Sequence, residues 1–180
     1  MGMTFVAAMI EDAELDAVRS SPDLLHDLRD AASEDDGRSV DLDKAWHGIH
    51  FLLTGSGDLA PAEAAPRRRL FGRRRDVAPA PAAGAESLAV LGGEPVGADD
   101  DWRVLTAAQV AEVAAALEPL DRAALAHRVD LDAMAAADLY PQIWEEPDVF
   151  EEYLGPAYDD LRDFYRRAAA AGCAVVLSIS

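Results

Sequence analysis

Two short apolar segments stand at opposite ends of the chain, MTFVAAMI at residues 3–10 and the β-branched CAVVLSIS at 173–180, and alanine dominates much of what lies between. Alanine is the best helix former and a poor strand former, whereas Val and Ile suit the pleated surface of a strand. A third strand candidate, SLAVLGGEPVG (87–97), runs into a glycine turn. Strands so far apart, with helices between them, predict an α+β fold: one small mixed sheet of N-terminal, central and C-terminal strands, covered by several helices. At 180 residues the chain is long enough to bury a core without staples, and one domain spanning 1–180 is expected.

The helices carry their own punctuation. Glu11 to Arg19 reads as a short amphipathic helix, and Ser21-Pro22 starts another with a cap and a first-turn proline. SEDDGRS (33–39) reads as a loop, after which Asp41 or Asp43 is expected to cap the helix in VDLDKAWHGIHFLLTG (40–55). Thr106 and Gln109 have capping-box spacing ahead of a helix to Leu117. Asp121 and Asp130 are placed to cap two shorter helices, the second ending before Tyr140-Pro141. Residues 147–171 read as mostly helical, broken at Gly155-Pro156 and stopped by Gly172.

Charge narrows the function classes. The formal net charge is −18, from 34 acidic and 16 basic residues. A surface this negative repels phosphate backbones, so no nucleic acid is expected to bind a broad face; a basic protein partner fits the charge better. Six of the basic residues sit in RRRLFGRRR (67–75), inside an Ala/Pro/Gly/Arg-rich stretch at about 60–86 that shows no sustained period. This stretch reads as a loop insertion, either resting on the acidic body or serving as a nucleic-acid or partner-binding patch. Without those six and without Glu63 and Asp76, 10 basic residues face 32 acidic ones. The single cysteine, Cys173, rules out an internal disulfide and fits a reducing cytoplasm. The N-terminal segment has no basic n-region, and no apolar run approaches the roughly 20 residues that span a bilayer. A soluble cytoplasmic protein, away from membranes, is the expectation.

Two dense patches hold the side chains that bear chemistry. In the first, Leu42, Trp46, Ile49, His50 and Leu53 trace one helical stripe and His47 falls towards its edge. A His-x-x-His pair beside Asp invites a metal reading, but a site needs three or four converging ligands and no companion Cys/His cluster follows, so no metal is expected. His50 is either a core residue packed beside Trp46 or the polar and proton-transfer group of a pocket. In the second patch, DLYPQIWEEP (138–147), Tyr140 precedes a proline and Trp144 follows on a loop between helices. These two are either core-closing aromatics or the wall of a ligand site. Trp46, His50, Tyr140 and Trp144 together form the candidate pocket. The turns TGSGD (54–58) and GGEPVG (92–97) match neither a P-loop nor a dinucleotide fingerprint, no G-x-S-x-G or H-E-x-x-H occurs, and no cofactor is expected.

The order of D-x-x-W-x-x-x-H-F-x-L-T-G, then LAVLGGEPVG, then Y-P-x-I-W and a closing AGCAVVLSIS resembles the YfbM-like family of uncharacterised bacterial proteins. The likeness covers most of the chain and leaves out chiefly the arginine-rich stretch. It implies a mixed α/β fold and supplies no catalytic residues. Two function classes stand open: an acidic interaction protein, for example an immunity-type inhibitor of a basic partner, and a small-molecule-binding or hydrolytic protein working through His50. Whether the chain is an enzyme is left open by its residues.

Overall fold

The computed structural model describes residues 2–21, 24, 37–59, 84–97, 102–144, 146 and 148–180. The arginine-rich stretch, up to residue 83, lies outside the described residues, as does all of the helix expected to start at Ser21-Pro22 except Ser21 and the helical Leu24, whose N–H donates to Ser21 O at 3.1 Å.

Among the described residues five strands form a single sheet: β1 (Phe5–Ile10), β2 (Ser39–Asp43), β3 (Glu94–Val96), β4 (Trp102–Leu105) and β5 (Ala174–Ile179), in the order β2-β1-β5-β4-β3. The two terminal segments are its centre. They run antiparallel from Phe5 opposite Ile179 to Ile10 opposite Ala174, and Thr4 and Ser180 exchange backbone hydrogen bonds of 2.9 and 3.0 Å just beyond. The α+β class holds. The sheet is antiparallel at every pairing, however, rather than mixed.

Among the described residues seven α-helices with defined bounds accompany the sheet: α1 (Leu15–Ser20), α2 (Trp46–Thr54), α3 (Leu88–Leu91), α4 (Ala107–Leu117), α5 (Arg122–Ala126), α6 (Leu131–Ala136) and α7 (Gly155–Ala171). The capping signals are observed at three of them. Thr106 and Gln109 close a capping box on α4, and Asp121 and Asp130 accept the N–H groups of Ala124 and Ala133 at 2.7 and 3.0 Å. Gly172, at φ 66°, ends α7 in the left-handed conformation that glycine adopts without a Cβ penalty.

Three local expectations fail for physical reasons. LAVL, read as part of a strand, is helix α3, and only EPV beyond Gly92-Gly93 is extended; four consecutive apolar residues do not separate a buried helix from a buried strand. Asp41 and Asp43 do not cap α2. They are the outward-facing positions of β2, whose Val40 and Leu42 face inward, and the Asp41 carboxylate accepts the Asp43 N–H at 2.7 Å. The break at Gly155-Pro156 is a change of pitch, from a π-helical turn (Phe150–Leu154) into α7. The Gly155 N–H still bonds back to Phe150 O, and Pro156, which has no N–H, falls at the change of pitch.

The main core lies on one face of the sheet. Phe5, Ala7, Met9, Leu105, Val175 and Leu177 meet Trp46 and Ile49 of α2, Val110, Val113 and Leu117 of α4, and Leu161, Phe164, Tyr165 and Ala168 of α7. Polar atoms inside it are matched: the Tyr158 and Tyr165 hydroxyls donate to Leu120 O and Ala89 O at 2.7 and 2.8 Å, and Arg162 donates to the terminal carbonyls of α4. Burial drives the Tyr165 phenol far up, and the Tyr158 phenol up to about 12, so both stay protonated donors. A smaller cluster on the opposite face joins Ile10, Val104, Ala174 and Val176 to Leu15 and Val18 of α1. Arg19 clips α1 to Glu94 of β3 at 2.9 Å.

Candidate functional site

The two dense patches of the sequence meet where α2 packs against the loop 137–144. Helix α2 follows β2 through a tight corner at Asp43, a non-glycine residue at φ 45°. At the far end Gly55 turns left-handed, and Arg128 donates to Leu52 O at 3.2 Å, so the helix end is satisfied. Trp46, His47, Gly48, Ile49, His50, Leu52 and Leu53 are all buried. The helix is therefore enclosed on more than one side, and a single stripe underestimates what it contacts.

Trp46 is fully buried, donates its indole N–H to Met3 O at 3.3 Å, and stacks on the His47 ring with centroids 4.8 Å apart and planes within 8°. His47 is the residue that joins the site. Its Nδ1 lies 3.0 Å from the Tyr140 backbone N and its Nε2 3.0 Å from Gly57 O. A peptide N–H only donates and a carbonyl only accepts, so Nδ1 accepts and Nε2–H donates, which sets the tautomer. One imidazole thereby ties α2 to the loop carrying Tyr140 and to the segment leaving the helix.

Trp144 reaches α2 from the same loop. Its indole N–H donates to Leu139 O at 2.9 Å, and the edge of its six-membered ring sits over Gly48, where a Cβ would stand 2.6 Å from Cη2 and 2.7 Å from Cζ3. Only a residue without a side chain lets the indole approach so closely. The loop is held in shape by Asp138, at φ 53°, which accepts a 2.6 Å hydrogen bond from Gln142 Nε2, and it contains a cis peptide at Tyr140-Pro141.

Tyr140 is half-buried, and its hydroxyl and the Lys44 side chain occupy the space that a Cβ on Gly2 would need. Lys44 is the one lysine of the chain. The Tyr153 hydroxyl takes the Lys44 N–H at 3.2 Å and reaches the Asp43 carboxylate at 3.4 Å. Burial and the Asp43 charge push the Tyr153 phenol up, so it serves as a donor to Asp43.

His50 is placed differently. It is 5% exposed, its Nδ1 has no hydrogen-bond partner among the described residues, and its pKa is lowered to about 4, first by desolvation and then by the neighbouring His47; a backbone contact to Asp58 acts the other way. A surface depression of about 340 Å³ is lined by Ala135, Leu139, Gln142 and Trp144, and His50 is not among its walls. Of the four candidate residues, then, Tyr140 and Trp144 are brought onto α2, Trp46 stacks on the His47 that holds the Tyr140 backbone, and His50 lines no wall of the depression and has an unsatisfied nitrogen. His47, Gly48 and Tyr153 complete the arrangement and were not anticipated. His47 carried a signal, its spacing three residues from His50, but its bond to the Tyr140 backbone spans 93 positions and leaves no local trace.

The surface around this junction is acidic. Residues 129–161 include ten Asp and Glu and no Lys, Arg or His. Asp130, Asp132, Asp138, Glu146, Asp148, Glu151, Glu152 and Asp160 are exposed. Arg122 balances part of it, pairing with Glu151 and Asp159 at 3.1 and 3.5 Å. Among the described residues no group of three or more His, Cys, Asp or Glu is arranged to hold a metal ion, and no helix is long and apolar enough to cross a membrane.

Comparison with known proteins sets the lineage. The solved structure of a protein of unknown function, YfbM from Escherichia coli, superposes with a TM-score of 0.66 at 20% identity over 98% of this chain and 99% of that one, a likeness of fold. No curated protein matches the chain. The family model described as a domain of unknown function, DUF1877, matches residues 1–178, and the chain therefore belongs to the DUF1877 family.

Proposed function

We propose that this chain is a soluble cytoplasmic binding protein that acts without catalysis, by presenting the acidic surface of residues 129–161 to a basic protein, in the manner of an immunity-type inhibitor. The observation that carries this reading is the run of ten carboxylates without one basic residue, interleaved with the half-buried Tyr140 and Tyr153. Tyrosine is enriched at interfaces because a rigid apolar ring and a polar tip are presented together at small entropic loss. Complementary charge speeds encounter and makes association sensitive to salt.

The test compares the purified chain with a variant carrying Asp132→Asn, Asp148→Asn and Glu152→Gln, each as bait in native lysate at low salt. A stoichiometric basic protein is expected on the wild-type bait, released in 1 M salt, where charges are screened beyond about 3 Å, and bound at least roughly tenfold more weakly by the variant. Equal capture by both baits, or capture insensitive to salt, defeats the reading.

A second reading, a small-molecule or hydrolytic site using His50 with Trp46, Tyr140 and Trp144, draws support from the unpartnered Nδ1 of His50. Its lowered basicity and its absence from the walls of the Trp144 depression weigh against it. A thermal-shift screen against metabolites, repeated on His50→Ala, decides: a stabilising ligand lost in the variant supports this reading, and a ligand retained excludes His50.

A further inference from the structure

We infer that His47 is an acid-sensitive latch: a proton taken up on its Nδ1 releases the loop tip 140–143 from α2 while the rest of the junction stays in place. The latch works whether or not a partner binds the acidic face. Nδ1 accepts the Tyr140 N–H at 3.0 Å, and among the described residues this is the one hydrogen bond between the tip and the helix. An imidazolium carries N–H on both nitrogens and accepts nothing. Protonation therefore sets two donors against each other at Tyr140, whereas the Nε2–H bond to Gly57 O is available in either form.

The surroundings confine the change to the tip. Its two flanks are buried and tied to one another, the Trp144 indole N–H donating to Leu139 O at 2.9 Å. Within the tip the Ile143 N–H donates to Pro141 O at 2.9 Å. Tyr140, Pro141, Gln142 and Ile143 are half-buried or exposed, so this turn can swing out while Leu139 and Trp144 stay buried. The charged ring keeps its place, because it lies flat on Trp46 with centroids 4.8 Å apart and a cation is attracted to an indole face. The other titratable or charged groups here are Lys44 and His50 on or beside α2, and Asp58, Glu86, Arg128, Asp138, Tyr140 and Tyr153 on the segments packed against it. His47 spends both nitrogens on backbone groups, and no carboxylate among the described residues pairs with it. Nothing in the closed form thus holds a proton at Nδ1. Once the tip has opened, the ring titrates as an ordinary imidazole near pH 6.5, and each further unit of acid favours opening by up to about tenfold.

The test is a titration of the full chain between pH 7.5 and 4.5, following histidine ring nitrogen resonances and amide hydrogen exchange, each rate referred to its intrinsic value at that pH. His47 Nδ1 is expected to take up a proton while the chain remains folded. At the same midpoint the protection of the Tyr140 amide is expected to fall at least tenfold, and further than that of Val113 in α4. In His47→Asn, whose Oδ1 offers an acceptor that does not titrate in this range, the extra fall is expected to vanish; in His50→Leu it is expected to persist. Unfolding before Nδ1 is protonated, a protonated Nδ1 with Tyr140 still protected, or equal falls at Tyr140 and Val113 overturns the latch. Should His47→Asn fail to fold, the wild-type and His50→Leu chains decide by the same outcomes.

Discussion

The α4–α7 wall and the α2–loop junction are built on different terms. In the wall, apolar residues recur at helical spacing, and the buried hydroxyls of Tyr158 and Tyr165 each find a carbonyl. At the junction two aspartates sit at positive φ, a glycine admits an indole, one histidine spends both nitrogens and the other leaves one unpaired. Matched polar atoms and relaxed backbone make a scaffold. Constrained backbone and an unmatched buried nitrogen persist only where surrounding packing holds them, and such places are where function concentrates.

Breaking the wall gives the largest effect. Phe164→Ala, at a position with no exposure, is expected to lower unfolding free energy by about 3–5 kcal/mol in urea titration, with partner binding by the remaining folded fraction unchanged. A loss of binding beyond the unfolded fraction denies that the two regions are separable.

Acid probes the junction. The pKa of His50 is about 4 when folded against an ordinary 6.5, so the unfolded chain takes up the proton first as pH falls. The stability associated with neutral His50 is complete above about pH 6.5 and is lost towards pH 4, about 3 kcal/mol in all and about 2 kcal/mol of it by pH 5. Urea midpoints at pH 7 and pH 5 measure it, and His50→Leu is expected to remove most of the difference. An unchanged difference in that variant assigns the acid sensitivity elsewhere.

Gly48→Ala sets two effects against each other. Alanine favours the helix by about 1 kcal/mol, but its Cβ meets the Trp144 ring and Leu154, and overpacking a buried site costs about 1–3 kcal/mol. A net loss accompanied by a shifted Trp144 indole resonance is expected. A net gain would mean that the indole moves freely and that the junction is looser than the wall.

The smallest effect is the most pointed comparison. Asp43→Gly, at φ 45°, is expected to change stability by less than about 1 kcal/mol, because the relief of left-handed strain offsets the loss of the Tyr153 contact. Asp163→Gly in mid-α7 is expected to destabilise by about 1 kcal/mol, since glycine disfavours an ordinary helix and the 3.0 Å pair with Arg166 is lost. Thermal denaturation of the two variants side by side reads the contrast.

Much of the fold was legible. The strand character of both ends, the capping residues Thr106, Asp121 and Asp130, and the stop at Gly172 are local signals and appear where expected. Strand β2 was legible too, since Val40 and Leu42 alternate with Asp41 and Asp43, but its short period was overridden by the cap expected for the next helix. The site was partly legible: the stretches 40–55 and 138–147 do meet, yet the stripe favoured His50 over His47.

Composition, periodicity and capping chemistry by themselves determined the α+β class, the acidic character of the body and the places where α4, α5 and α6 begin, because each depends on residues within a turn or two of one another. Only the tertiary structure decided that the two terminal segments lie side by side, that every strand pair is antiparallel, and that His47 rather than His50 binds α2 to the loop of Tyr140 and Trp144. Apart from the local β3–β4 pairing, those outcomes rest on hydrogen bonds and close contacts between residues from about 30 to more than 170 positions apart, whose partners are chosen by packing and not by their neighbours in the chain.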